Sequence, residues 1–228
     1  MRFGLSHGIL LFLTFLATAL TGVALLPEGS VITEALVLIR RSPSFLLQGL
    51  PYSLSLLFII ICHEYGHIYA ARKHGISVTM PYFIPAPPYI TLGTLGAFIR
   101  MKSPIPTRGA LTETGAYGPM FGFAASLFVL ILGYILSGFG YNVPTDFGFN
   151  VRFPLAFSLT RSAFVGNGLS FEGMLFENPV IASAWIGFFI QGLNLLPVGQ
   201  LDGGHILYAF FSKNHKLVGR ILTLFSFF

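Results

Sequence analysis

Charged residues divide the chain into four long apolar runs, 3–27, 42–62, 114–145 and 178–201, none of which contains Asp, Glu, Lys or Arg. A bilayer core needs about 20 apolar residues of α-helix to cross it. The pattern therefore predicts membrane spans at about 4–26, 46–74, 115–138 and 179–198. The second span continues as helix beyond Cys62 through His63, Glu64 and His67. Between the second and third spans, Pro81, Pro85, Pro87 and Pro88 exclude helix, and the glycine-containing stretch Thr91 to Arg100 favours extended backbone. Region 79–110 then reads as a small β-hairpin or re-entrant strand, with an extended surface loop as the other form it could take. A Gly- and Phe-rich connection at 139–177 is too short for an inserted domain of ordinary size. The apolar tail from Leu217 to Phe228 is too short to span. The expected architecture is an all-α polytopic membrane protein with about four transmembrane helices, a short C-terminal helical segment and the small hairpin. Residues 1–228 read as a single membrane-embedded unit.

Composition supports this picture. Of the 228 residues, 54% are hydrophobic and 9% are charged, against about 25% charged in soluble domains. Mean hydropathy is +0.77. The first run could be a secretory leader, because Ala17-Thr18-Ala19 resembles a cleavage site. Its apolar stretch is longer than the usual leader core and only Arg2 precedes it, which favours a retained helix. A single cysteine, Cys62, excludes an intrachain disulfide framework. The net charge of +5 is not gathered into a basic block interleaved with aromatics, so no nucleic acid partner is expected. Under four spans, Arg2, Arg72, Lys73, Arg100, Lys102, Arg108, Lys213, Lys216 and Arg220 share one side. Arg40, Arg41, Arg152 and Arg161 fall on the other. The positive-inside rule then predicts a cytoplasmic N-terminus and a cytoplasmic 79–110 region, with the His63–His67 end of span two near that face.

The candidate chemistry lies in His63-Glu64-Tyr65-Gly66-His67. Helical positions i and i+4 lie on one face, so the two imidazoles can hold one Zn²⁺ while Glu64 takes a proton from water. An ionisable group at membrane depth is costly and is normally paired or functional. A catalytic zinc site wants three protein ligands and an open position. Besides Glu64, the acid at membrane depth is Asp202, in Asn194-Leu195-Leu196-Pro197-Val198-Gly199-Gln200-Leu201-Asp202-Gly203-Gly204-His205. Pro197 ends or kinks the fourth span, and the charge asymmetry brings Asp202 to the depth of His63 and His67. Asp202 is thus the candidate third ligand, with a helix N-cap before His205 as its ordinary structural role.

These motifs, together with Gly115-Ala116-Tyr117-Gly118-Pro119 between them, resemble the site-2 protease family of intramembrane zinc metalloproteases over roughly Leu54 to Phe211. The resemblance implies one Zn²⁺ per chain on His63, His67 and Asp202, with Glu64 as general base and acid. It implies that Asn194 holds the scissile peptide or its oxyanion, and that Gly93, Thr94, Leu95 and Gly96 bind an unwound substrate as an added strand. His205 would support the ligands or serve as an alternative one. Tyr117 spaces the Ala-Gly-Pro element differently from the family pattern, so no role is carried onto it. The PDZ and CBS domains of some relatives have no room here. The implied substrate is the transmembrane helix of another protein in the bilayer. The rival readings are a metal transporter and a catalytically silent membrane scaffold. A di-iron oxygenase lacks its several histidine boxes.

Overall fold

A computed structural model of the chain describes residues 4–25, 32–88, 92–136 and 178–211. The elements in order are α1 (Leu5–Ala24), α2 (Ile32–Arg41), α3 (Phe45–Gln48), α4 (Leu50–Lys73), β1 (Tyr82–Pro85), β2 (Thr94–Phe98), α5 (Arg108–Leu136), α6 (Pro179–Asn194) and α7 (Asp202–Phe210). Helices α1, α4 and α5 are long and apolar enough to cross a membrane, and α6 is a shorter apolar helix. This is the expected mostly helical membrane architecture with a small hairpin. The expected connection 139–177 and the apolar tail lie outside the described residues.

The element boundaries differ from those expected, for identifiable reasons. The third span begins seven residues early, at Arg108, because the Thr107 hydroxyl accepts from the Ala110 N–H and caps the first turn. Glu113, expected in a loop, lies inside α5 and pairs with Lys73 at 2.7 Å and His74 at 3.0 Å. Those charges extend the helix pair past the apolar stretch. Helix α6 stops at Asn194, ahead of Pro197, where a tight turn begins with Leu196 N–H bonded to Leu193 O. Helix α2 was not expected at all. It is a short amphipathic piece with Glu34 in its first turn and Arg40 and Arg41 in its last.

Helix α4 is the centre of the bundle. One apolar cluster joins its Ile59 to Val129 and Leu130 of α5 and Ile181 of α6. A second joins its Tyr52, Leu56 and Ile60 to Phe83 of β1 and Ile186 of α6. Its opposite stripe, Leu54, Phe58, Ile61, Tyr65 and Tyr69, is exposed. An apolar surface of that extent suits acyl chains rather than water. Helix α1 packs its polar side inward: Thr18 and Ser53 of α4 share a 2.6 Å hydroxyl–hydroxyl hydrogen bond. Thr14, Thr18 and Thr21 donate back to carbonyls of their own helix, so none of these hydroxyls is left unmet.

The hairpin lies along α1. β1 and β2 pair antiparallel, with Tyr82 opposite Phe98 and Pro85 opposite Thr94. The register slips between Phe83 and Pro85, and the Thr94 hydroxyl spans the irregularity by donating to Ile84 O at 2.9 Å. Tyr82 stacks on His7 near the start of α1, while Gly93 lies against Ala17, Thr18 and Thr21 of the same helix. His7 and Thr18 are separated by about 16 Å of helix at 1.5 Å per residue, so the hairpin runs deep along α1. At its inner end the Tyr52 hydroxyl donates to Leu92 O at 3.1 Å. Helix α1 and the start of α4 cover one side of this non-helical backbone, while Leu95 and Phe98 of β2 stay exposed.

Candidate active site

Helix α4 carries His63, Glu64 and His67 on its inward face, and all three are buried. Their neighbours Ile61 and Tyr65 point outward. The Nε2 atoms of the two histidines are 3.0 Å apart. Asp202 opens α7 and places Oδ2 at 3.3 Å from His63 Nε2 and Oδ1 at 3.3 Å from His67 Nε2. One donor atom from each of these residues lies within 4.8 Å of the others, and among the described residues this is the group of His, Cys, Asp and Glu side chains so arranged. His205 lines the same cavity but is exposed and does not join the group.

The turn after α6 aims Asp202. Gly203 packs against the Leu195 carbonyl and Gly204 against the carbonyls of Val198 and Gly199, where a Cβ would collide with backbone. The N-cap of α7 is Leu201, so Asp202 is a first-turn residue whose carboxylate faces the histidines rather than capping its own helix.

The outer nitrogens of both imidazoles are engaged. His67 Nδ1 lies 2.7 Å from the Thr114 carbonyl, and His63 Nδ1 lies 2.6 Å from Gln191 Oε1. A carbonyl only accepts, so each Nδ1 carries the proton and each Nε2 presents a bare lone pair. In the neutral rings two such lone pairs and a carboxylate face one another, a donor set that suits a cation. Tetrahedral Zn²⁺ with bonds of about 2.0–2.2 Å holds its ligand atoms about 3.3–3.6 Å apart. The two imidazole–carboxylate distances of 3.3 Å match that spacing, and the 3.0 Å between the imidazoles is slightly shorter.

Sequence reasoning missed both of these tethers, and it missed why α5 approaches so closely. Gly115, Gly118 and Gly122 form one face of α5. A Cβ at Gly115 would meet Asp202 O at 3.1 Å, one at Gly118 would fall on the His67 ring, and one at Gly122 would fall on the Gln191 amide. From α4, Gly66 meets the Tyr117 carbonyl equally closely. Spacings of three and four residues between those α5 glycines were the available signal. Gln191 was visible, with Asn194, as one of two amides in an apolar helix.

Glu64 is 3% exposed, and its Oε2 has no hydrogen-bond partner. It lines a cavity of about 340 Å³ together with the histidines, Asp202, Asn194 and one side of β2. Asn194 reaches this cavity with Nδ2 at 3.5 Å from His63 Nε2. Leu95 of β2 is exposed beside the cavity, and Thr94 is buried behind it. Gly93 anchors the strand to α1 and is not in the cavity wall.

Several known proteins are similar to this chain. A probable chloroplastic zinc metalloprotease of Arabidopsis thaliana, EGY2, is 31% identical over 180 residues, 78% of this chain and 32% of that protein. Its counterpart in Oryza sativa subsp. indica is 35% identical over 169 residues, 73% of this chain and 30% of that protein. The zinc metalloprotease MJ0392 of Methanocaldococcus jannaschii is 25% identical over 162 residues, 70% of this chain and 34% of that protein. The chain thus spans about a third of the length of these relatives. No solved structure matches it. Residues 51–226 match the model of peptidase family M50, a stretch that contains all three cation-facing side chains, and the chain belongs to that family.

Proposed function

We propose that this chain is an intramembrane zinc metalloprotease that hydrolyses a peptide bond within or near the transmembrane helix of a membrane-protein substrate. The observation that carries the reading is the convergence of His63, His67 and Asp202 beside a buried Glu64, whose Oε2 has no partner among the described residues, inside an apolar helical bundle. The names of its metalloprotease relatives support the same reading.

In this reading His63 Nε2, His67 Nε2 and the Asp202 carboxylate hold one Zn²⁺. When bound, the ion supplies a Lewis acid that polarises a peptide carbonyl and lowers the pKa of water toward about 7. Glu64 takes a proton from the attacking water at its free Oε2 as the water oxygen bonds to the carbonyl carbon. It returns that proton to the leaving nitrogen as the C–N bond breaks. Asn194 Nδ2 donates to the carbonyl oxygen as negative charge develops there, a contact of the kind worth roughly 2.7–4 kcal/mol.

A helical substrate has its amides hydrogen-bonded and shielded, so it must unwind before attack. The two-stranded sheet leaves β2 without a strand neighbour on its cavity side among the described residues, and an unwound segment adds there as a third strand. Thr94, Leu95 and Gly96 provide that edge, and Gly93 holds it in place. His205 stands at the cavity wall as a substrate contact rather than a ligand. The positive residues near this end of the bundle orient the site and the N-terminus toward the cytoplasm. A transporter would require polar groups along a path, whereas here they gather at one depth.

Zinc content and cleavage of a membrane-protein substrate, measured on the wild type, Asp202→Ala and Glu64→Gln, test the proposal together. A wild type without zinc, or a Glu64→Gln variant that cleaves normally, rejects it.

A further inference from the structure

We propose that Gln191 is a positioning residue of this metal site. Its side-chain oxygen fixes the tautomer and the tilt of His63, and thereby sets how tightly the site binds a divalent cation. The inference rests on the zinc reading above and adds a determinant to it.

The two histidines are tethered differently. His67 donates to a backbone carbonyl, Thr114 O, which no substitution at that position removes. His63 donates to a side chain, Gln191 Oε1 at 2.6 Å, which a substitution can remove. Gln191 is 2% exposed, on a helix whose other buried residues are aliphatic, small or aromatic. It stands three positions before Asn194 and therefore on the same face.

The packing around this amide favours a positioning role over a purely structural one. Its Nε2 is buried with no hydrogen-bond partner. An unmet buried donor opposes folding, and a Leu or Met of similar length would avoid it. Across the interface, α5 places Gly122 against the amide, where any Cβ would overlap it. Thus α6 keeps an unpaired donor and α5 gives up a side chain, and the one partner gained is His63 Nδ1. Reversing the amide would not serve. With Nε2–H facing Nδ1, the His63 proton would move to Nε2 and close the lone pair that faces His67 and Asp202. Partners of this kind typically change metal affinity by about 10–100-fold when removed.

The test is a zinc titration of the purified, zinc-stripped full chain in detergent, against a chromophoric chelator. Wild type binds one Zn²⁺. Gln191→Met keeps length and apolar bulk but lacks the acceptor, and its dissociation constant rises by about 10–100-fold. Gln191→Glu restores an oxygen acceptor and binds at least as tightly as wild type. Ser183→Ala, a buried polar change on the same helix whose hydroxyl bonds only its own backbone, leaves zinc affinity unchanged. Wild-type affinity in the Met variant overturns the proposal, and so does a Glu variant as weak as Met. If Gln191→Met does not elute as a folded species, Gln191→Asn decides. Its amide is one methylene short and must also bind weakly, and wild-type affinity there overturns the proposal. Failure of the wild type to bind zinc is a separate result that removes the underlying reading itself.

Discussion

Gly118 of α5 and His67 of α4 meet without room for a side chain: a Cβ on the glycine would collide with the imidazole Nε2. The ring cannot withdraw, because its Nδ1 is bonded to the Thr114 carbonyl and its Nε2 faces His63 and Asp202. Gly118→Ala is therefore expected to displace His67 and lower zinc affinity by more than about 100-fold, beyond the loss of an outer partner. Gly192→Ala is the matched control, since a Cβ there meets nothing within 4 Å. It should leave zinc content intact and stabilise α6 by up to about 1 kcal/mol. Zinc content of the two purified variants checks the pair.

The contrast between His67 and Gly118 also marks the limit of what the sequence discloses. The spacing of His63 and His67 fixes their common face on any helix. Asp202 stands out as an acid at membrane depth after a helix-ending proline. Those inferences need only local geometry and the cost of burying charge, and the fold brings the three together. Gln191 and the Thr114 carbonyl could not be placed in the same way. Their roles depend on which faces of α5 and α6 meet α4, and hydrophobicity hardly varies around those helices, so the glycine spacing on α5 was the sign of an inward face. The start of α5 is obscured because Arg108 and Glu113 precede the uncharged run from which the span is recognised. In the fold Glu113 is satisfied by Lys73 and His74 across the helix pair. The depth of the hairpin was hidden for a related reason, because its anchors, His7, Thr18 and Tyr52, lie far from it in the chain.

Glu64→Gln preserves shape and removes the proton acceptor. Glu64 is outside the trio that faces the cation position, so the variant should retain zinc while cleavage falls by about 10²–10⁴-fold. Parallel zinc and cleavage measurements check this. Joint loss of both would reassign Glu64 as a ligand.

Removing the metal should expose the strain in its ligand set. Without a cation, the two imidazole Nε2 atoms stand 3.0 Å apart beside a carboxylate with no metal to hold them together. Zinc at about 1,000 times its dissociation constant contributes about 4.1 kcal/mol by mass action. Chelation should therefore lower the thermal midpoint of the wild type, and restored zinc should raise it again. Asp202→Ala should show little change in either direction. A midpoint in the wild type that ignores zinc would argue against a bound structural contribution.

Two glycines of the hairpin separate anchoring from flexibility. Gly93 and Gly96 both have positive φ, 83° and 97°, so alanine at either carries roughly 1–3 kcal/mol of backbone strain. At Gly96 a Cβ meets nothing within 4 Å, so strain is the whole effect. At Gly93 the Cβ would also come within 2.7 Å of Thr18 Cα and Thr21 Oγ1 and 2.8 Å of Ala17 O, against backbone of α1 that cannot yield cheaply. The collision should push the inner end of the hairpin away from α1 and loosen the Tyr52–Leu92 hydrogen bond beside it. If β2 receives the unwound substrate, Gly93→Ala should lower cleavage far more than Gly96→Ala while both variants keep their zinc. The tip meets α4 at Tyr52, eleven residues and about 16 Å along the axis from His63, so the ligands themselves lie away from that contact. Equal loss of cleavage in the two variants would mean that strand flexibility matters and the anchor does not. Loss of zinc in Gly93→Ala would instead show that the hairpin tip holds the ligand helices together.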